Sequence, residues 1–244
     1  MDSVSYHSKM SEFYKYRTPY VDLLFENIFH YLKLNNKSII VDLCCGSGEL
    51  SSGLSKYVKK IHAVDGSRDM LSKAPSLFNV RYYHYEVCKS LIDFQEPVDH
   101  VFIGKAVHWL NKDCLYNSIK SNLKNDGSIV IIYNVLDNAQ WSLKIDCLLN
   151  DYGRRSYGHD FTGKNTLNAI GYAEHDKIII KGNIKFDLEH FMGQLLSLAY
   201  GEAFENILKN YQIFKEKVTE ILSPFMIDGF VNREFYNIAL IYRK

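Results

Sequence analysis

Hydrophobic and polar residues along the first 135 positions predict strands and helices in alternation. Apolar residues recur at helical spacing from Val21 to Leu32, which predicts an amphipathic helix. Short β-branched runs bounded by glycine or polar residues predict buried strands at 38–43, 61–65, 80–85, 98–103 and 128–133. Helical stretches are expected at about 49–57 and 67–74. This alternation indicates βαβ units and a mostly parallel sheet.

The pattern changes after Asn134. The stretch 136–232 is mostly helical in character, with one β-like piece at 177–180, and the chain closes on a strand-like run at 235–242. We therefore predict a doubly wound α/β fold with a largely helical cap insertion and a C-terminal antiparallel strand. The predicted single domain, 1–244, divides into N-terminal helices at 1–36, a core at 37–135, a cap at 136–233 and a closing strand at 234–244.

Composition narrows the class of protein. The chain has 244 residues, of which 47% are hydrophobic and 23% charged, the balance of a globular domain with a sizeable core. The formal net charge of +1 gives no overall field that would attract nucleic acid or an anionic membrane. No apolar run approaches the ~20 residues of a membrane-spanning helix. The first ten residues lack a signal-peptide core, so a cytoplasmic location is expected.

Cysteine and histidine spacing predicts no metal site. The five cysteines are odd in number and include no CxxC pair, which indicates neither a disulfide framework nor a thiolate zinc site. The nine histidines include no HxxxH or HExxH pattern.

The most informative segment is the turn after the first predicted strand, which runs DLCCGSGEL from Asp42 to Leu50. Gly46 and Gly48 would let the backbone approach a ligand closely, because neither carries a Cβ. Asp65 ends the second predicted strand and could accept hydrogen bonds from both ribose hydroxyls of an adenosine. The alternative is a purely structural turn, with Asp65 capping the next helix. The order of strand, turn, helix, strand and acid favours nucleotide binding.

The kind of nucleotide follows from two positions. A dinucleotide fingerprint has the form GxGxxG or GxGxxA, and Ser51 occupies its last position when the count starts at Gly46. Asp42, just before the turn, would repel a pyrophosphate. An acid there suits a ligand that carries a positive charge and an amino group.

The segment from Asp42 to Gly48 resembles the first motif, D-x-G-x-G-x-G, of the class I S-adenosylmethionine-dependent methyltransferases. Cys44 stands where the first glycine of that motif belongs, a replacement that is tolerable if its φ is negative. The segment AVDGS at 63–67 resembles the second motif of the family. The resemblance implies a Rossmann-like fold, S-adenosyl-L-methionine as cofactor, S-adenosyl-L-homocysteine as product, and methyl transfer as the activity.

The resemblance also implies a set of cofactor-binding residues. They are Tyr14, Arg17, Asp42, Cys44, Gly46, Gly48, Asp65, Gly66, Met70, Val87 and Lys105. In the family pattern Asp65 would hold the ribose and Met70 would lie against adenine, with ordinary core packing as the alternative for Met70. Arg17 could pair with the methionyl carboxylate or remain a solvated charge.

Three further segments resemble small-molecule methyltransferases. The N-terminal segment 13–20 is similar to their Y-x-x-x-R-P-x-Y pattern. Residues 104–110, GKAVHWL, resemble the A-x-H-W-F segment of the trans-aconitate methyltransferase group, and 186–191 are similar to the cap of that group. The resemblance therefore implies a small-molecule acceptor.

Catalytic and acceptor-binding candidates follow the fourth strand or lie in the cap. Methyl transfer by in-line displacement needs alignment and exclusion of water, so a general base is optional. His108 is the best candidate base, or it only packs against the cofactor. Trp109 could form part of the wall of the binding site, or it could belong to the hydrophobic core. In the cap, Arg154 and Arg155 could hold an acceptor carboxylate or phosphate, or form solvated surface, and His159 is a second-choice base.

The sequence as a whole predicts methyl transfer to a small molecule, with natural-product biosynthesis as its setting and without nucleic-acid or membrane partners. The leading alternative is a protein that binds the same cofactor but catalyses a different reaction, such as cyclisation. A nicotinamide-dependent oxidoreductase is disfavoured by Asp42 and Ser51. A further alternative is an RNA or protein methyltransferase, and the near-neutral charge argues against RNA as the substrate. The sequence predicts neither the acceptor atom nor the oligomeric state.

Overall fold

The computed structural model describes residues 11–87, 93–120, 122–154, 160–199 and 202–244. The strands are β1 (Ile39–Leu43), β2 (Lys60–Asp65), β3 (Val80–His84), β4 (Val98–Gly104), β5 (Leu123–Leu136), β6 (Ala173–Phe186) and β7 (Val231–Arg243). The α-helices are α1 (Asp22–Leu32), α2 (Glu49–Ser55), α3 (Arg68–Leu71), α4 (Lys112–Lys120), α5 (Ser142–Asp151), α6 (Lys164–Asn168), α7 (Leu188–Leu198), α8 (Glu202–Lys209) and α9 (Tyr211–Leu222). Short 3-10 turns lie at Ser11–Tyr16, Val107–Trp109 and Ser223–Phe225.

The strands form one seven-stranded sheet in the order β3-β2-β1-β4-β5-β7-β6. The first five strands of this order are parallel, and β7 runs antiparallel to both β5 and β6. From β1 the chain moves outward through β2 to β3, then returns to place β4 on the other side of β1. Parallel sheets bind ligands where the strand order reverses in this way. The topology therefore places the expected site at the carboxyl ends of β1 and β4.

The predicted fold class is confirmed, and the differences concern the second half of the chain. The strand predicted at 177–180 is the centre of the 14-residue β6. Most of its residues are exposed because it is an edge strand, so lysines interrupt the apolar pattern. β6 also divides the predicted cap at 136–233, because it forms the edge of the sheet beside β7. Helix α4 was not predicted from the sequence.

The helices of the C-terminal half have a hydrophobic core of their own. Trp141 packs edge-on against Phe191, with ring centroids 5.2 Å apart, and Phe191 stacks on Phe186 at 4.9 Å. Phe214 and Phe235 are completely buried in the same cluster. Two other clusters cover the sheet. The cap is therefore a packed layer that can hold side chains in fixed positions over the sheet.

One expectation about the cysteines is corrected. Cys114 forms a disulfide, whereas Cys44, Cys45 and Cys147 are free thiols. An odd number of cysteines with no local motif excludes complete pairing, but it does not show which cysteines the fold brings together.

A buried polar network fixes the segment 17–21, here called the N-terminal strap, across the sheet. Asn237 on β7 is completely buried; its side-chain oxygen accepts a hydrogen bond from the Val21 amide (2.8 Å). Its side-chain nitrogen donates to the Pro19 carbonyl (3.1 Å) and to Asn134 Oδ1 (2.7 Å). Asn134 on β5 donates in turn to the Thr18 carbonyl (2.8 Å). Two strand asparagines thus supply hydrogen-bond partners for a segment without regular structure.

Helix α7 holds the strap from the cap side. Arg17 donates through Nη2 to the Ser197 carbonyl (2.6 Å), and Gln194 donates through Nε2 to Thr18 Oγ1 (3.2 Å). Gly193 is needed for this approach, because a Cβ there would lie 2.2 Å from the Tyr16 ring. The strap is therefore clamped between the sheet and the cap.

We expect Asn237→Leu to lower the free energy of unfolding by about 2–4 kcal/mol. The apolar side chain leaves the Val21 amide, the Pro19 carbonyl and Asn134 Oδ1 buried without this partner, and each such group costs about 1–3 kcal/mol. Urea unfolding measures the change. Asn183→Leu, at an exposed position of β6, is the matched control and should stay within about 0.5 kcal/mol of the wild type. Equal stability of the two variants would show that the network does not hold the strap.

Candidate active site

A cavity of about 330 Å³ lies at the carboxyl ends of β1 and β4, within the size range of small-molecule sites. The N-terminal strap and the preceding 3-10 turn form one wall, and the turns after β1, β2, β3 and β4 form the others. Of the residues predicted to bind cofactor or substrate, those that line it are Tyr14, Arg17, Asp42, Cys44, Gly46, Asp65, Gly66, Met70, Val87, Lys105 and Trp109. The fold thus brings together residues that are far apart in the sequence.

The glycine turn has the left-handed backbone that its sequence suggests. Gly46 has φ +58° and Gly48 has φ +80°. A Cβ on Gly46 would lie 3.1 Å from Cε of Met70, so the turn and this methionine are in close contact. Gly48 does not line the cavity; a Cβ there would lie 2.8 Å from the Tyr82 hydroxyl. Gly48 therefore serves the packing of α2 against β3.

Asp65 connects the glycine turn to the end of β2. Its Oδ2 accepts a hydrogen bond from the Gly46 amide (2.8 Å), and its Oδ1 accepts one from the Ser67 amide (2.8 Å). Helix α3 is capped by Ser67, whose Oγ accepts from the Met70 amide, and not by Asp65. The side chain is therefore fixed by two backbone amides in the wall of the cavity.

Asp42 is a buried acid in the wall of the cavity. It is completely buried, and Oδ2 accepts a 2.6 Å hydrogen bond from the Ser51 hydroxyl. No residue within the described ranges donates to its buried Oδ1. Burial raises the pKa of Asp42 to about 7, and the nearby acids Glu49 and Asp65 act in the same direction. Such a carboxylate is stabilised by a ligand that brings a cationic hydrogen-bond donor.

The cationic side chains that line the same cavity are Lys15, Arg17 and Lys105. The Arg17 guanidinium lies 4.0 Å from the centre of the Tyr14 ring. The Lys105 ammonium lies 4.7 Å from the Tyr20 ring centre and 3.5 Å from the Thr18 carbonyl. Burial lowers the pKa of Lys105 to about 8, and the Arg17 charge acts in the same direction. A buried acid and cationic groups in one cavity fit the zwitterionic end of an amino-acid ligand.

Cys44 departs from the expected backbone conformation. A cysteine in the place of the first motif glycine was expected to be tolerable with a negative φ, but the structure gives φ +61°. A left-handed conformation costs a residue with a Cβ about 1–2 kcal/mol. The turn therefore keeps the glycine geometry with a strained cysteine in it. Burial also raises the pKa of the Cys44 thiol well above its usual range, so the thiol is neutral.

We expect Cys44→Gly to raise the free energy of unfolding by about 0.5–1 kcal/mol, because glycine removes the left-handed strain at some cost in unfolded-state entropy. Thermal unfolding with and without S-adenosyl-L-homocysteine measures it. Cys147→Gly is the control with the opposite sign: Cys147 is exposed within the right-handed helix α5, where glycine costs about 1 kcal/mol. A loss of stability in both variants would contradict strain at Cys44.

Some predicted residues lie away from the cavity. His108, in the 3-10 turn after β4, does not line it; its ring lies 4.8 Å from the rings of both Trp109 and Phe161. Arg154 pairs with Asp146 at 2.8 Å and also does not line it. Arg155 and His159 lie outside the described residues. The structure therefore does not place His108 or Arg154 beside the cofactor candidates.

The cavity also contains residues that were not selected from the sequence. Thr18, Tyr20 and Glu49 line it. Tyr20 and Thr18 belong to the N-terminal segment whose resemblance was noted, and Glu49 directly follows the glycine turn, so adjacency to both motifs was the available signal. Burial raises the pKa of Tyr20 well above its ordinary value, and Asp42 adds to the effect.

Two classes of feature are not found in the part of the chain that the structure describes. No three histidine, cysteine, aspartate or glutamate side chains are grouped as a metal site would require. No described helix combines the length and apolar character needed to cross a bilayer.

Comparison with known proteins identifies a matching family and several relatives of this chain. Residues 40–127 match the family described as a methyltransferase domain. A protein of Methanococcus vannielii, assigned as a decarboxylating cobalt-precorrin-6B C(15)-methyltransferase, is 30% identical over 151 residues, which are 57% of this chain and 83% of that protein. A Saccharomyces cerevisiae protein, assigned as an S-adenosylmethionine-dependent methyltransferase, is 28% identical over 174 residues, which are 67% of this chain and 58% of that protein.

Solved structures share the fold. A protein from Anaeromyxobacter dehalogenans, assigned as a type II methyltransferase, superposes with a TM-score of 0.70 at 18% identity, covering 93% of this chain and 97% of that one. An S-adenosylmethionine-dependent methyltransferase from Thiobacillus denitrificans, in complex with S-adenosyl-L-homocysteine, gives 0.54 at 12% identity, covering 100% and 99%. The methanogen relative, the sheet order and the glycine turn followed by Asp65 all lead to the same family. The chain belongs to the class I S-adenosylmethionine-dependent methyltransferases.

Proposed function

We propose that this methyltransferase acts on a small-molecule acceptor by in-line displacement. The observation that carries the proposal is the cavity at the strand-order reversal, where the buried Oδ1 of Asp42 has no donor among the described residues. A cationic amino-acid end of S-adenosylmethionine satisfies that oxygen. When bound, the cofactor supplies a methyl group on a positively charged sulfur, which is activated for displacement.

Different residues that line the cavity would bind different parts of the cofactor. Asp42 would receive the ammonium group, while Arg17 and Lys105 would neutralise the carboxylate. Asp65 would accept from the ribose hydroxyls. Other lining residues would surround the ligand, either by close approach of their backbone or by apolar and aromatic side-chain contacts. They include Tyr14, Cys44, Gly46, Gly66, Met70 and Val87.

We propose that the protein contributes alignment and exclusion of water and not a strong base. Alignment alone can lower a barrier by about 7–11 kcal/mol. The predicted base His108 packs against Trp109 and Phe161 and is not among the residues that line the cavity, which argues against its acting as a base. The clamped N-terminal strap would close one side of the site against solvent.

A small-molecule acceptor is supported by the net charge of the chain and by the name of one relative. The net charge of +1 provides little attraction for a polyanion. The methanogen relative is named for a corrin precursor, which is also a small molecule. A role in natural-product biosynthesis and a kinship with the trans-aconitate methyltransferase group remain predictions from motif resemblance.

The test is incubation of the purified protein with methyl-labelled cofactor and a panel of small acceptors bearing oxygen, nitrogen, carbon or sulfur nucleophiles. We expect label in an acceptor together with formation of S-adenosyl-L-homocysteine. Asp65→Ala is the negative control, since it removes the proposed ribose acceptor. Cofactor consumption without label in any acceptor would favour cyclisation, and absence of cofactor binding would refute the proposed site.

A further inference from the structure

We propose that the acceptor is a planar aromatic compound that binds on a row of three rings, Trp109, His108 and Phe161, at the outer end of the cofactor cavity. This inference rests on the proposed function and specifies its acceptor class. Trp109 belongs to the cavity wall, so the row continues directly from the proposed cofactor site.

The three rings form one continuous aromatic surface. The His108 ring centroid lies 4.8 Å from that of Trp109 at an interplanar angle of 44°, and 4.8 Å from that of Phe161 at 68°. Trp109 is 36% exposed and Phe161 is 47% exposed. Solvent thus reaches the two outer rings, and a ligand can reach them as well. Large aromatic residues exposed beside a cavity commonly mark binding surface.

The loop that carries Phe161 is held rigidly. The Asp160 carboxylate accepts hydrogen bonds from the amides of Thr162 (3.0 Å) and Asn165 (3.3 Å). The Tyr242 hydroxyl on β7 donates to the Thr162 carbonyl (3.1 Å). These bonds fix the loop to the end of the sheet. Phe161 is therefore held against His108 by its surroundings while a large part of its ring stays exposed.

Backbone conformation adds a second constraint on the same loop. Gly163 has φ +67°, and a Cβ there would lie 2.5 Å from Cγ2 of Val107, the residue before His108. Only glycine permits this approach between the loop and the 3-10 turn. The two parts of the aromatic row are thus fixed to each other, and a preorganised surface loses little entropy when it binds a rigid ligand.

The chemistry of the row favours a flat, uncharged ring system. Aromatic rings attract other rings in offset-stacked and edge-to-face arrangements. The cationic side chains that line the cavity lie against N-terminal residues and not against the row: Lys15 against Tyr16, Arg17 against Tyr14, and Lys105 against Thr18 and Tyr20. The charged side chains therefore recognise the cofactor, and the aromatic rings of the row recognise the acceptor.

The experiment compares two probes with the same carbon skeleton and hydroxyl group, the planar 2-naphthol and the saturated decahydro-2-naphthol. Calorimetry measures their binding to the whole protein saturated with S-adenosyl-L-homocysteine. We expect 2-naphthol to bind about tenfold more tightly than the saturated alcohol, and Phe161→Ala to weaken 2-naphthol roughly fivefold. Phe161→Leu keeps apolar bulk without a ring and should show the same loss. Phe78→Ala, at a fully exposed phenylalanine outside the cavity wall, should bind both probes as the wild type does.

Each outcome decides a different point. Equal binding of the two alcohols, or unchanged binding of 2-naphthol to both Phe161 variants, would overturn the aromatic site while leaving the cofactor site intact. Failure of wild-type protein to bind S-adenosyl-L-homocysteine would refute the proposed function and, with it, this inference.

Discussion

Asp65→Asn should raise the dissociation constant for S-adenosyl-L-homocysteine about 100-fold, since hydrogen bonds to a charged acceptor contribute about 1.5–3 kcal/mol each and asparagine keeps only one acceptor oxygen. The carboxylate of Asp65 is already oriented by the amides of Gly46 and Ser67. In the proposed complex this carboxylate also accepts hydrogen bonds from the two ribose hydroxyls. Calorimetric titration measures the constant directly.

The control for this variant must separate binding from folding. Asp65 also fixes the glycine turn, so urea unfolding of the variant has to accompany the titration. Asp69→Asn changes an exposed acid one turn away, on α3, and should leave the dissociation constant unchanged. An Asp65→Asn protein that is folded and still binds the ligand within about threefold of the wild type would contradict the ribose assignment.

Cofactor affinity should fall as the pH is lowered below 7. Burial raises the pKa of Asp42 to about 7, so the ligand-free protein increasingly holds a proton on this carboxyl below that pH. A ligand that brings an ammonium group binds the ionised form and must displace the proton. The affinity therefore decreases by up to about tenfold for each pH unit below 7, or about 100-fold between pH 7 and 5.

Titrations of S-adenosyl-L-homocysteine from pH 5 to 8.5 test this linkage. At pH 6 calorimetry in two buffers of different ionisation enthalpy should also show net proton release. Asp42→Asn should bind weakly with little pH dependence below pH 7. Ser51→Ala removes the hydrogen bond that lowers the pKa of Asp42, so it should move the midpoint of the dependence to higher pH. A flat profile for the wild-type protein would show that Asp42 does not meet the ammonium group.

The sequence alone determined the fold class, the five strands of the parallel half and the kind of ligand. Those features are local: β-branched runs specify buried strands, and a glycine turn framed by Asp42 and Asp65 carries its own chemistry. The sequence was less informative about β6, because an edge strand with an exposed face mixes lysines into its apolar pattern. It gave no indication of α4.

Only the tertiary structure decided which side chains share the cavity. Thr18 and Tyr20 reach it because Asn134 and Asn237, on distant strands, hold the N-terminal strap across the sheet. The structure also places His108 beside Phe161 and not among the residues that line the cavity. The φ of Cys44 was likewise undecided in advance, because the surrounding turn imposes a left-handed backbone on a residue that does not favour it. Contacts between residues more than a hundred positions apart depend on how the layers pack, and periodicity along the chain carries no information about them.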